Sequence, residues 1–171
     1  MVYTLLKAQG LSVGKSLVED DLIPQAVQFM QKVTELGKTL YIPEDHKVVM
    51  SIDQPDTLKT IQSDEFSDQH IGVDIGPTSV AAINEYINNS KTVFWNGPVG
   101  IFEQKAYSNG TFDIAKSLAE SSAVTIVGGG DSIAALNESG YSESVDHIST
   151  GGGASLEFLE GKVLPGIAVL S

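Results

Sequence analysis

The sequence predicts an α/β fold: a parallel, Rossmann-like sheet with helices on both faces. Three observations support this. Short β-branched or apolar runs recur at residues 71–75, 91–95 and 124–127, with a short last one at 145–148. Glycine-bearing turns follow them, at Gly76, at 97–100, at 128–130 and at 151–153. Helical apolar spacing follows the turns, and the repeat of strand, turn and helix is the pattern of parallel sheets.

In chain order, residues 2–8 carry a short helical pattern that Gly10 stops. Asp20 and Asp21 start a second helix with Pro24 in its first turn; Ala26, Phe29, Met30, Val33 and Leu36 give it a core-facing stripe, and Gly37 ends it. Gly37-Lys38-Thr39 looks like the end of a P-loop, but the first glycine of that motif would fall on Lys32. Residues 39–42 and 47–52 read as strands. Residues 53–68 are polar and read as a loop, of a length that often hides a hairpin or a functional cover. After the 71–75 run, which holds Asp74, Thr78 or Ser79 can cap a helix through Val80, Ile83, Tyr86 and Ile87. Residues 91–95 lead into an unusual turn from Asn96 to Glu103, and Asn109 or Thr111 starts a helix through Phe112, Ala115, Leu118 and Ala119. Asp131 or Ser132 can cap the helix 133–137. A last helix covers 154–160 and stops at Gly161.

The chain has 171 residues, so one domain is the default. Its net charge of -12 argues against a nucleic-acid partner. It has no cysteine, hence no disulfide frame and no thiolate metal site. No run resembles a signal peptide or a membrane span, and the simple reading is a cytoplasmic protein. His46, His70 and His147 are scattered and read as structural or surface groups rather than metal ligands. All ten basic residues are lysine. A phosphate-handling site on this chain must therefore use backbone N–H groups, lysines, a metal ion or another polypeptide.

Ligands of parallel α/β sheets bind at the carboxyl ends of the strands. The glycine turns are therefore expected to share one rim. Gly128, Gly129 and Gly130 stand between a strand and a helix start, where amides and the helix dipole face an anion such as phosphate. A tight turn without any ligand is the equal alternative on this stretch alone. Asp131 can coordinate a hard cation such as Mg²⁺ shared with phosphate, or cap the helix, or both. Glu103 suits the hydroxyls of a ribose, against a plain solvated charge. Asn96 either holds its turn or touches phosphate.

Residues 95–103 (Trp-Asn-Gly-Pro-Val-Gly-Ile-Phe-Glu), 128–132 (Gly-Gly-Gly-Asp-Ser) and 149–157 (Ser-Thr-Gly-Gly-Gly-Ala-Ser-Leu-Glu) together resemble the phosphoglycerate kinases, and residues 161–166 look like the closing segment of that family. The resemblance runs along essentially the whole chain. It implies the later part of the family's C-terminal, nucleotide-binding lobe, with Mg²⁺ and ATP or ADP as ligands. It places Gly72 and Val73 in the adenine pocket, Glu103 on the ribose and Asn96 near the phosphates. Gly128, Gly129, Gly130, Asp131 and Ser132 would cradle phosphate, with Asp131 on the metal; residues 151–153 would open a helix toward the transferring phosphoryl group, and Gly129 and Gly152 would be the catalytic positions. The family more often has threonine at Ser132, which keeps the hydroxyl.

The same resemblance implies what is missing. The N-terminal lobe, with the site for 3-phosphoglycerate or 1,3-bisphosphoglycerate and the transition-state arginine, has no counterpart here. Nor has the first segment of the nucleotide lobe, with its phosphate-binding lysines. The expectation is an incomplete sheet with an uncovered edge, and a piece that does not transfer phosphate alone. The full-length family is expected to be monomeric. The alternatives are a stand-alone, non-catalytic nucleotide-binding module and, with no G-x-G-x-x-G to support it, a dinucleotide-dependent oxidoreductase.

Overall fold

A computed structural model describes residues 1–169. Helix α1 (Val2–Ala8) and helix α2 (Ile23–Glu35) pack on each other ahead of the first strand. Strands β1 (Asp45–Val49), β2 (Lys59–Gln62) and β3 (Ile71–Ile75) form an antiparallel sheet of order β2-β1-β3. Then come α3 (Pro77–Asn88), β4 (Thr92–Asn96), α4 (Asn109–Glu120), β5 (Val124–Gly128), α5 (Gly130–Ser139), β6 (His147–Ser149), α6 (Gly153–Leu159) and the short α7 (Pro165–Ala168). Strands β4, β5 and β6 form a parallel sheet in that order, flanked by helices.

The α/β class holds, and the strand–turn–helix repeat describes the second half of the chain. The first half differs from expectation. Residues 39–42 form no strand, despite their β-branched and aromatic content. The strand expected at 47–52 lies two residues earlier, because Asp45 and His46 are buried and pair with Gln62 and Ile61. The polar stretch after it is a hairpin arm: β2 exposes three of its four residues and buries Ile61. Strand β3 pairs antiparallel with β1, so Gly76 closes a different sheet from the one that carries the other glycine turns.

The main core joins the two sheets. Ile75, Val80 and Ile87 pack with Trp95, Phe102, Ile114, Leu118, Val127 and Leu136. A second cluster, Val49, Val73 and Tyr107, sits under Ile101 and Ala106 and holds the chain after β4 against the antiparallel sheet. The Tyr107 hydroxyl donates to the Ile52 carbonyl at 2.8 Å and fastens the same segment. The apolar stripe of α2 does not reach a core. None of its residues is buried and Phe29 is half exposed, so the expectation that Phe29 and Met30 are core residues is not met among the described residues. The stripe is amphipathic, and among the described residues α1 is the helix packed most closely on it.

Candidate functional site at the carboxyl ends of the parallel strands

The register of the parallel sheet puts three turns side by side. Asn96 at the end of β4 pairs with Gly128 at the end of β5, and Gly128 pairs with Ser149 at the end of β6. Each strand then breaks at glycine in a conformation other residues adopt only with strain: Gly97 (φ 98°), Gly129 (φ 90°) and Gly152 (φ 47°). A side chain on Gly97, Gly130, Gly152 or Gly153 would meet nothing within 4 Å, so the space over these amides is open.

Two side chains lock the turns to each other. The Asn96 Nδ2 donates to the Gly128 carbonyl at 3.1 Å, and the Gly97 amide donates to the Ser132 hydroxyl at 2.5 Å. The Trp95 indole N–H closes its own turn on the Gly97 carbonyl at 2.8 Å. Ser132 is buried and spends its oxygen on the neighbouring turn. Helix α5 starts at Gly130, three residues before the expected start, and neither Asp131 nor Ser132 caps it. Among the described residues its first-turn amides have no side-chain acceptor, and Asp131 stands exposed in that turn. The Asn96 side chain reaches the neighbouring strand rather than its own turn, which the Trp95 indole closes.

The remaining candidates sit elsewhere. Gly72 and Val73 lie in β3, on the antiparallel sheet. A Cβ on Gly72 would run into the Tyr3 phenol, so a side chain fits there only if that ring moves. Val73 is buried against Val49 and Tyr107. Both border an open, mostly apolar groove of about 1110 Å³ that also includes Phe94, Pro98, Val99 and Ile101. The groove therefore brings β3 and the turn after β4 together. Glu103 is exposed at the end of that turn, directly after Phe102, which is anchored in the core. Among the described residues no group of three or more His, Asp or Glu side chains is placed to hold a metal ion.

Gly76 does not belong with the other turns. The amides of Thr78 and Ser79, in the first turn of α3, donate to the Asp45 carboxylate at 3.0 and 2.8 Å, and the Ser79 hydroxyl adds a bond at 2.6 Å. This replaces the cap expected from Thr78 or Ser79 themselves. Burial would raise the Asp45 carboxyl, but the Ser79 and Thr78 hydrogen bonds outweigh it and hold it below the usual range. Asp74 does the same for α4, accepting from the Gly110 amide at 2.8 Å. Here burial wins and pushes the carboxyl up to about 6, against the pull of that amide and of Lys47. Sequence reasoning assigned neither carboxylate a role. For Asp74 the signal was a charge inside an apolar strand.

A family model of phosphoglycerate kinase matches residues 1–162. Phosphoglycerate kinases of Finegoldia magna and Clostridium perfringens are each 49% identical to this chain, over 98% and 100% of it, and over 42% and 43% of their own length. The structure of phosphoglycerate kinase from Coxiella burnetii superposes with a TM-score of 0.94 at 40% identity, covering 99% of this chain and 44% of that one. The phosphoglycerate kinase from Pyrococcus horikoshii gives 0.82 at 27% identity. The chain thus spans less than half the length of the relatives it matches. No helix among the described residues is long and apolar enough to cross a membrane.

Proposed function

The chain belongs to the phosphoglycerate kinase family, and from that premise we propose that it is the nucleotide-binding part of a phosphotransferase acting between 1,3-bisphosphoglycerate and ADP. The observation that carries this reading is the row of three glycine turns at the tips of register-matched parallel strands, with open space above them. In this reading the Gly129 and Gly130 amides and the start of α5 meet the phosphates, and the helix dipole favours their negative charge. Glu103 accepts from the ribose hydroxyls, and the groove beside Gly72 and Val73 takes the base. Gly152, just before α6, faces the phosphoryl group that moves.

Mg²⁺ fits Asp131. Mg²⁺ is commonly held by one or two carboxylates with the rest of its shell from phosphate and water, and Asp131 is an exposed carboxylate beside open amides. Bound there, it would supply positive charge to the phosphates. The protein's own residues orient the nucleotide, and the chain's charge of -12 makes binding depend on that cation.

With no arginine in the chain, the charge that develops on a transferring phosphoryl group has no arginine here to meet it. The acid substrate and that charge are served by polypeptide that the relatives carry beyond the matched portion. The chain alone is therefore inactive in this reading. The lack of arginine equally favours a second reading, a non-catalytic nucleotide-binding module. Titration with Mg-ADP tests binding: shifts at the Gly129, Gly130 and Glu103 amides support it, and none defeats it. Mixing with the unmatched portion of the Clostridium perfringens enzyme separates the two readings, since restored turnover supports the kinase and persistent inactivity supports the module.

A further inference from the structure

Asp74 has no exposed side-chain surface, and nothing in the nucleotide reading uses it. Its carboxylate lies where several segments meet. One oxygen accepts from the Ile75 amide at 2.9 Å within β3. The other accepts from the Gly110 amide at the start of α4 and faces the Lys47 ammonium of β1 at 3.7 Å. Gly100, in the turn after β4, packs so tightly on this carboxylate that a Cβ there would lie 2.5 Å from Oδ1. One residue earlier in β3, the Val73 carbonyl accepts from the Ile101 amide at 2.9 Å. The turn that delivers Glu103 is thus held by a backbone bond at Ile101 and packs at Gly100 on the carboxylate, which is itself bonded to α4 at Gly110.

We propose that Asp74 is a positioning residue for nucleotide binding, fixing the turn from Gly100 to Glu103 against the strand that carries Gly72 and Val73. The proposal rests on the nucleotide reading above. Asp74 acts through Gly100 and α4 rather than on the ligand. Both its oxygens are used as acceptors, for Ile75 and for Gly110. An amide in its place has one acceptor and one donor, so Asn satisfies only one of those N–H groups. Protonation makes the same change, turning one acceptor into a donor. The titratable groups facing Asp74 are Lys47 from β1, which favours the anion, and the Tyr3 phenol from α1.

The test is Mg-ADP titration of the unaltered chain, Asp74→Asn and Lys47→Met from about pH 5 to about pH 8. Nucleotide protonation is common to all three, so differences between them report on the protein. The unaltered chain is expected to weaken by about threefold or more, relative to Asp74→Asn, as pH falls through about 6. Asp74→Asn is expected to bind weakly at both ends of the range. Lys47→Met keeps the carboxylate but removes the charge that favours its ionised form, so its transition moves to higher pH; a purely structural role predicts no such movement. Should Asp74→Asn fail to fold, the unaltered chain still decides, because the Gly100, Ile101 and Gly110 amide resonances must titrate together near pH 6. Binding that Asp74→Asn leaves intact at every pH, or amides that do not titrate, overturns the proposal alone. No Mg-ADP binding by the unaltered chain at any pH overturns the nucleotide reading and this proposal with it.

Discussion

Helix α3 begins after Gly76 with a carboxylate already on its first-turn amides, whereas α5 begins after Gly129 with none. Both follow a buried strand and a glycine, and locally the two sequences ask for the same thing. A helix N-terminus carries unpaired N–H groups and a partial positive charge, so an anion is stabilised there. At α3, and at α4 through Asp74, the antiparallel sheet supplies that anion from within the chain. At α5 it does not, and the space over Gly130 is empty. A glycine turn before a helix is architecture where the protein fills it and a candidate site where the protein leaves it open.

The comparison can be sharpened by emptying the filled terminus. Asp45→Ala leaves the Thr78 and Ser79 amides and the Ser79 hydroxyl without their acceptor in a buried place. Urea unfolding should show a loss of roughly 3 kcal/mol, with Mg-ADP affinity little changed. The acid limb of stability separates the two structural carboxylates. Asp45 is held below its unfolded value, so its contribution is present above about pH 4 and is lost as pH falls through its folded value. Asp74 is raised to about 6, so its contribution runs the other way: stability rises as pH falls from about 6 toward 4. Unfolding curves across that range should show a gain before the acid loss, and Asp74→Asn should abolish the gain. A featureless curve would contradict the assignment of Asp74.

Smaller effects are expected at the open terminus. Ser132→Ala frees the Gly97 amide and should cost about 1–2 kcal/mol, read by the same unfolding curves. Its loss of Mg-ADP affinity should be modest, because the hydroxyl faces the neighbouring turn. Gly130→Ala adds a methyl where nothing lies within 4 Å. Stability should stay level or rise by about 0.5 kcal/mol. Mg-ADP affinity should fall all the same, because the methyl stands where phosphate would approach. A stable Gly130→Ala protein that binds as tightly as the unaltered chain would break the distinction between open and filled turns.

Much of the second half was legible because its signals are local. The runs at β4 and β5 are β-branched, their turns need glycine, and the three motifs from Trp95 to Glu157 carry the family resemblance. The antiparallel sheet was less so. Strand β2 buries only Ile61, so Lys59, Thr60 and Gln62 read as loop. Residues 39–42 have strand composition but no strand partner. The Asp45 cap joins residues more than thirty positions apart, and no local rule predicts it. The antiparallel pairing of β3 took Gly76 off the expected rim, and that long-range bond filled the helix start behind it. In α2 the amphipathic stripe showed that a face needs covering, but the sequence does not say what covers it.

In the proposed reading the open rim, and not the filled one, receives the nucleotide. Amide-resolved NMR during Mg-ADP titration tests it directly, comparing Gly97, Gly129 and Gly130 with Gly76, Thr78 and Ser79 in one experiment. Saturable shifts are expected in the first set and none in the second. Equal shifts in both sets, or movement only at the start of α3, would contradict it.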